Sequence, residues 1–111
     1  MTGLAATSLA SAQKKVSAND KVRLGFIGVG NRGSQLIDAF NEHEDKEIVA
    51  ICDVFTPYLD KQKERLGGKV ETYTDFRKII EHPGIDAVVI ATPDHWHAIQ
   101  TIDACNAGKD V

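Results

Sequence analysis

The stretch Val22-Arg23-Leu24-Gly25-Phe26-Ile27-Gly28-Val29-Gly30-Asn31-Arg32-Gly33 limits what this chain can fold into more than any other. An alternating apolar run, with Val22, Leu24 and Phe26 among its members, enters a turn that carries Gly28, Gly30 and Gly33. Directly after it, Leu36, Ile37 and Phe40 recur at helical spacing and give one apolar stripe. The spacing G-x-G-x-x-G between a strand and a helix predicts a turn built to hold the pyrophosphate of a dinucleotide. Gly28 lets the chain leave the strand sharply, Gly30 has no side chain to obstruct the pyrophosphate, and Gly33 lets helix and strand approach closely. Backbone N–H groups around Val29, Asn31 and Arg32 then face the phosphates from the helix N-terminus. Arg32 either adds charge there or is a solvated first-turn side chain, and a cation at a helix N-terminus is favourable only beside an anion.

The rest of the chain alternates strand and helix. Glu47 to Asp53 is a nearly continuous apolar run ending on an acid, as expected of an inner parallel strand covered on both faces. Thr56-Pro57 reads as a helix start, with Thr56 as cap and Pro57 at the first helical position, and Gly67-Gly68 as its stop. Val70 to Tyr73 reads as a third strand, and Thr74 or Asp75 caps a brief helix through Phe76, Ile79 and Ile80, ended by His82-Pro83-Gly84. Asp86 to Ala91 reads as the most strongly buried strand, broken by Thr92-Pro93-Asp94. A last helix, capped by Asp94, is expected to turn Ala98, Ile99, Ile102 and Cys105 to the core before Gly108 ends it. Lys109-Asp110-Val111 opens a fifth strand that the sequence does not complete, so the chain reads as part of a longer protein.

This alternation predicts an α/β fold, a doubly wound parallel sheet with right-handed crossovers. For a dinucleotide fold the strand order is 3-2-1-4-5, with the ligand crevice where the order reverses, at the carboxyl ends of the first and fourth strands. Gly28 to Gly33 and Thr92 to His97 then become opposite lips of one crevice. Asp53, twenty residues beyond Gly33, reads as the acceptor for both hydroxyls of the adenosine ribose, against the plainer reading of an exposed acid at a strand end. A 2′-phosphate there meets a like charge, and Val54-Phe55-Thr56 supplies no cation, so NAD is expected rather than NADP. Trp96 reads either as a wall for the nicotinamide or as packing, and His97 either as a ribose or substrate contact or as a structural histidine.

Composition narrows the alternatives. At 111 residues the chain suits one domain with its own core, and a net charge of -3 with scattered Lys and Arg gives no basic surface for nucleic acid. Neither a membrane span nor disorder is indicated. Cys52 and Cys105 read as buried structural thiols. On a helix His95 and His97 project about 200° apart, so no metal site is expected from Asp94-His95-Trp96-His97. Met1 to Ala12 is uncharged and ends in Ala10-Ser11-Ala12, an A-x-A pattern of the kind signal peptidase cleaves. Without a basic region it reads either as a signal-peptide remnant, with Met1 internal to a longer precursor, or as a frayed terminus. Residues 1–20 are therefore separated, as remnant and linker, from a nucleotide-binding domain at 21–111.

Four motifs in this order, Gly28-Val29-Gly30-Asn31-Arg32-Gly33, Ala50-Ile51-Cys52-Asp53, Ala91-Thr92-Pro93-Asp94-His95-Trp96-His97 and Ala107-Gly108-Lys109-Asp110-Val111, resemble the N-terminal domain of the Gfo/Idh/MocA oxidoreductases. The resemblance covers Val22 to Val111 and implies a Rossmann-type NAD-binding domain. It implies that the segment with Thr92, Pro93 and His97 borders the nicotinamide ribose. The family continues past A-G-K-x-V into an E-K-P motif, whose lysine takes part in proton transfer, and into a mostly β substrate domain that also supplies the usual oligomer contact. The sequence ends before both, so no catalytic lysine is assigned, Lys109 belongs to the preceding motif, and His97 is the one candidate contributor to catalysis.

What the resemblance implies for the whole protein is hydride transfer between a nicotinamide and a hydroxyl-bearing carbon of a sugar or cyclitol, in a homo-oligomer. The chain alone is expected to bind cofactor without turnover. The rival readings are an NAD-dependent glycoside hydrolase of the same superfamily and a non-catalytic nucleotide-binding module. The start resembles exported members, so a periplasmic or exported location is expected, with the cytoplasm as alternative.

Overall fold

The computed structural model describes residues 21–111, so the expected signal-peptide remnant and linker at 1–20 lie outside the described residues. Four strands, β1 (Val22–Ile27), β2 (Lys46–Cys52), β3 (Glu71–Tyr73) and β4 (Ala87–Ile90), alternate with α1 (Asn31–Asn41), α2 (Thr56–Arg65), α3 (Arg77–Glu81) and α4 (Asp94–Asn106). All neighbouring strands pair in parallel, in the order β3-β2-β1-β4. Beyond β4, Asp110 forms a parallel bridge to Ala87: Val88 N donates to its carbonyl at 2.8 Å and its own N–H to Asp86 O at 3.1 Å. That is the position expected of a fifth strand, and the fold is the Rossmann-type sheet read from the alternation.

The sheet separates two cores by the period-2 alternation of its strands. Leu24, Phe26 and Ile51 face one side with Ile37 of α1 and Leu59 of α2. Ile27, Ala50, Cys52 and Val88 face the other with Ile79 and Ile80 of α3 and Ala104 of α4. Because β2 is an interior strand covered on both sides, Ile48 to Cys52 reads as an unbroken apolar run.

Several local expectations are corrected. The most buried strand is β1, whose last four residues are buried, while in β4 only Val88 is. Strand order decides this: β1 lies between two full strands and β4 is bordered on one side by a single bridge. Thr56 is the first residue of α2 rather than its cap, and the cap position, Phe55, makes no side-chain bond. Asp94 likewise begins α4, with Pro93 in the cap position. In α3 the cap position is Phe76, without a side-chain bond, rather than Thr74 or Asp75; Asp75, one residue earlier, accepts Arg77 N–H through Oδ1 at 3.0 Å.

The largest correction concerns α4. Its inward residues are Gln100 and Ala104, whereas Ala98, Ile99, Ile102 and Cys105 are all exposed. The buried amide is satisfied, because the Thr92 hydroxyl donates to Gln100 Oε1 at 2.6 Å. An apolar stripe therefore lay on one face of the sequence pattern while a polar residue with a partner took the core.

At the opposite end of the sheet from the glycine turn, Arg23 clasps Asp86 through Nε at 3.1 Å and Nη2 at 2.9 Å, and the Arg23 N–H adds a third bond to the same carboxylate. Lys109 Nζ donates to the carbonyls of His82 and Ile85 at 2.7 and 2.8 Å, pinning the turn into β4. Burial lowers the pKa of this ammonium against the opposing pull of Asp86.

Candidate dinucleotide-binding cleft

β1 delivers the chain to a point where three strand ends are level. Gly28 N–H donates to Cys52 O and Ala91 N–H to Ile27 O, each at 2.8 Å. Gly28 has φ +92°, a conformation open to glycine, and any β-carbon on it would also crowd the Ala91 carbonyl. Gly33 makes the tighter approach: a β-carbon there would overlap the carbonyl oxygen of Gly28 itself. The first turn of α1 is thus laid directly on the glycine turn.

The first helical bond of α1 runs from Ser34 N–H to Gly30 O at 2.8 Å. The N–H groups of Asn31, Arg32 and Gly33 precede it and have no intrahelical acceptor. Gly30 gives no side-chain cap, and the first turn carries no acid. An uncapped, positively polarised helix end beside a glycine turn fits a phosphate anion.

Asp53 stands at the end of β2, half-buried. Its Oδ2 accepts Val29 N–H at 3.0 Å and its Oδ1 accepts Phe55 N–H at 2.9 Å. A carboxylate has about four acceptor positions, so two stay available for ribose hydroxyls. The same pair of bonds explains the missing Thr56 cap, since Asp53 already fixes the turn into α2.

Across the cleft, the segment after β4 is tied from α4. His97 Nε2 donates to Thr92 O at 2.5 Å, and the Thr92 hydroxyl is held by Gln100. Trp96 stays 45% exposed, with its ring tilted 57° to that of Phe76 at a centroid distance of 6.5 Å.

Between these walls lies a cleft of about 610 Å³. Gly28, Gly30, Asp53, Thr92, Pro93 and Trp96 line it, so residues far apart in sequence share one site. Val29 and Gly33 are buried beneath it. Asn31 and Arg32 are exposed at the start of α1 and do not line it, and Arg32 Nη1 donates along its own helix to Gln35 Oε1 at 3.0 Å. His97 does not line it either. The sequence reading missed the aromatic walls, Phe55 and Tyr58 from the start of α2 and Phe76 before α3, together with Gln100. Their one sequence signal was position, each aromatic following a strand end by a few residues.

A glycine cradle and a carboxylate with free acceptor positions share one cleft, and Gly30 sets the uncapped start of α1 at its edge, as a bound dinucleotide requires. Residues 22–111 match the family model described as an oxidoreductase family with an NAD-binding Rossmann fold. The chain belongs to the Gfo/Idh/MocA family.

Among relatives, glycosyl hydrolase family 109 protein 1 of Shewanella sp. (strain MR-4) is 38% identical over 96 residues, covering 79% of this chain and 21% of that protein. Scyllo-inositol dehydrogenase from Lactobacillus casei, solved with bound NAD(H) and scyllo-inositol, is 31% identical with a TM-score of 0.73, over 81% of this chain and 26% of that one. The WlbA dehydrogenase from Bordetella pertussis, in complex with NADH and UDP-GlcNAcA, is 28% identical with a TM-score of 0.76, over 84% and 27%. This Gfo/Idh/MocA chain thus spans about a fifth to a quarter of the lengths of the proteins it matches.

The two thiols of this family member differ in a measurable way. Burial, followed by the neighbouring charge of Asp53, pushes the Cys52 thiol up to about 12, whereas Cys105 is exposed on α4. The thiolate is the reactive form, so Cys52 is held protonated and covered at neutral pH. A disulfide-exchange reagent at pH 8 is expected to titrate one thiol in the native chain and two in denaturant. Two fast-reacting thiols in the native chain would contradict this burial.

Proposed function

We propose that this domain binds NAD in preference to NADP, as the cofactor-holding part of an oxidoreductase acting on a hydroxyl-bearing carbon of a sugar or cyclitol. The observation that carries the cofactor choice is Asp53, a carboxylate fixed by two backbone N–H groups at the rim of the cleft with no cation among Val54, Phe55 and Thr56. NAD, when bound, supplies the hydride acceptor. The amides of Asn31, Arg32 and Gly33 hold the pyrophosphate, Gly30 leaves room for it, and Asp53 accepts the ribose hydroxyls. Thr92, Pro93 and Trp96 bound the nicotinamide side and exclude water from it. His97 enters as a positioning residue, because its Nε2 is spent on the Thr92 carbonyl.

The scyllo-inositol and UDP-GlcNAcA complexes of the two dehydrogenases support a polyhydroxylated substrate. The glycosyl hydrolase relatives favour a second reading, in which transient oxidation of a sugar enables elimination and the cofactor is regenerated. Incubating the whole protein with aryl glycosides separates the two, since release of the aryl group without net NADH favours the hydrolase. Lys109 is bound to carbonyls at the far end of the sheet, so no residue of the described cleft is assigned the proton step. The chain by itself is read as binding cofactor without turnover.

Titration calorimetry with each cofactor tests the assignment. NAD is expected to bind at least about tenfold more tightly than NADP, from the like-charge repulsion at Asp53. Equal binding of the two, or none, would remove the reading. Export to the periplasm and homo-oligomerisation of the whole protein complete the proposal. The first is supported by the uncharged, A-x-A-terminated run at Met1 to Ala12, and recovery of the protein in the cytoplasmic fraction would reverse it.

A further inference from the structure

The cleft contains a phenol that the glycine fingerprint does not account for. Tyr58, in the first turn of α2, lays its ring along Gly30: a β-carbon built on that glycine would lie 2.9 Å from Cε2 and 3.5 Å from Cζ of Tyr58. Cζ carries the hydroxyl, so the phenol oxygen is set one bond beyond an atom that already borders Gly30. Gly30 is the position at which a dinucleotide fold lets the pyrophosphate approach the backbone.

Three observations give this ring a fixed place. It packs edge-on against Phe55, with centroids 4.7 Å apart and planes at 72°. Phe55 is in turn anchored by its N–H on Asp53 Oδ1. Tyr58 itself is 42% exposed and lines the cleft. Among the described residues its hydroxyl has no hydrogen-bond partner. A rigidly backed O–H donor, half-open to solvent and beside the phosphate path, has the chemistry to bind an anion.

We infer that Tyr58 is a cofactor-binding residue whose hydroxyl donates to a pyrophosphate oxygen, so that the anion is held between the N-terminus of α1 and the phenol of α2. The inference rests on the dinucleotide-binding reading of the cleft. It makes Asp53, Phe55 and Tyr58 one continuous support, in which the acid takes the ribose and also sets the aromatic pair that takes the phosphates.

The full chain and its Tyr58→Phe and Tyr58→Ala variants are titrated calorimetrically with NAD and with adenosine, which lacks phosphate. Tyr58→Phe keeps the ring and its packing and removes only the donor. A hydrogen bond to a charged group at a half-exposed site predicts that NAD binds this variant roughly tenfold more weakly. Adenosine binding and the thermal midpoint stay unchanged, and Tyr58→Ala weakens NAD at least as far. Unaltered NAD affinity in Tyr58→Phe would overturn the inference. So would tighter binding by Tyr58→Ala, which would mark the ring as an obstacle, or an equal loss for adenosine, which would mark a change in fold. Failure of the wild-type chain to bind NAD would instead overturn the cofactor reading on which the inference rests.

Discussion

Gly33→Ala is expected to lower the thermal midpoint of the chain by more than about 10 °C, corresponding to a loss of about 3 kcal/mol, and to abolish detectable NAD binding. The added methyl would overlap a backbone atom, the carbonyl oxygen of Gly28, rather than a side chain that can rotate away. Relief requires α1 to lift off the glycine turn. Gly28 is itself tied to Cys52 O on β2 and crowded by Ala91 after β4, so the displacement is resisted by the strand on either side. A lifted α1 also misdirects the Asn31 to Gly33 amides, so stability and affinity fall together. Circular dichroism melts and calorimetry on the same preparation provide the check. A midpoint within about 2 °C of wild type would show that the approach of helix to turn is looser than described.

Asp53→Ala is expected to weaken NAD binding by about a hundredfold, without producing an NADP-preferring protein. Removing the carboxylate relieves its repulsion of a 2′-phosphate. It also removes the acceptor for Val29 N–H, and Val29 is fully buried inside the glycine turn. An unsatisfied buried N–H costs about 1–3 kcal/mol, which falls on the turn that both cofactors need. Asp53→Asn separates the two effects, because one amide oxygen can still accept from Val29 while the charge is gone. Its NH2 then faces the Phe55 N–H, which loses its acceptor, so that variant is expected to melt somewhat below wild type but above Asp53→Ala, and to narrow the gap between NAD and NADP. If Asp53→Ala bound NADP as tightly as the wild type binds NAD, at unchanged stability, Asp53 would be a selectivity residue alone.

These two positions show what kind of information a single chain carries. Gly33 and Asp53 were legible because their constraints are local and chemical: a close approach that only glycine allows, and an acid at a strand end a fixed distance downstream. β2 was legible because Ile48 to Cys52, covered on both faces, is an unbroken apolar run, and β1 because its alternation leads into the glycine turn. What failed depended on partners remote in sequence. The inward face of α4 was misread because Gln100 is acceptable in the core only once Thr92 supplies a donor. The cap of α2 was misread because Asp53 had already fixed that turn. The burial of β4 was overstated because its neighbours are set by strand order, which no window of the sequence contains. Phe55, Tyr58 and Phe76 escaped notice for the same reason: nothing in their spacing relates them to Gly30 or Trp96 until the crossovers bring the strand ends together.

Strand order also sets a timetable for synthesis. β1 emerges first and pairs early with β2, but its other edge must wait for β4, and the clasp between Arg23 and Asp86 spans 63 residues. At a translation rate of about 5–20 residues per second, that edge stays open for several seconds on the ribosome. An unpaired central strand is a template for any extended segment that reaches it first. The nascent chain is therefore most vulnerable to mispairing after β3 has been made and before Ala87 to Ile90 arrive, and the closing of the sheet by β4 ends that exposure.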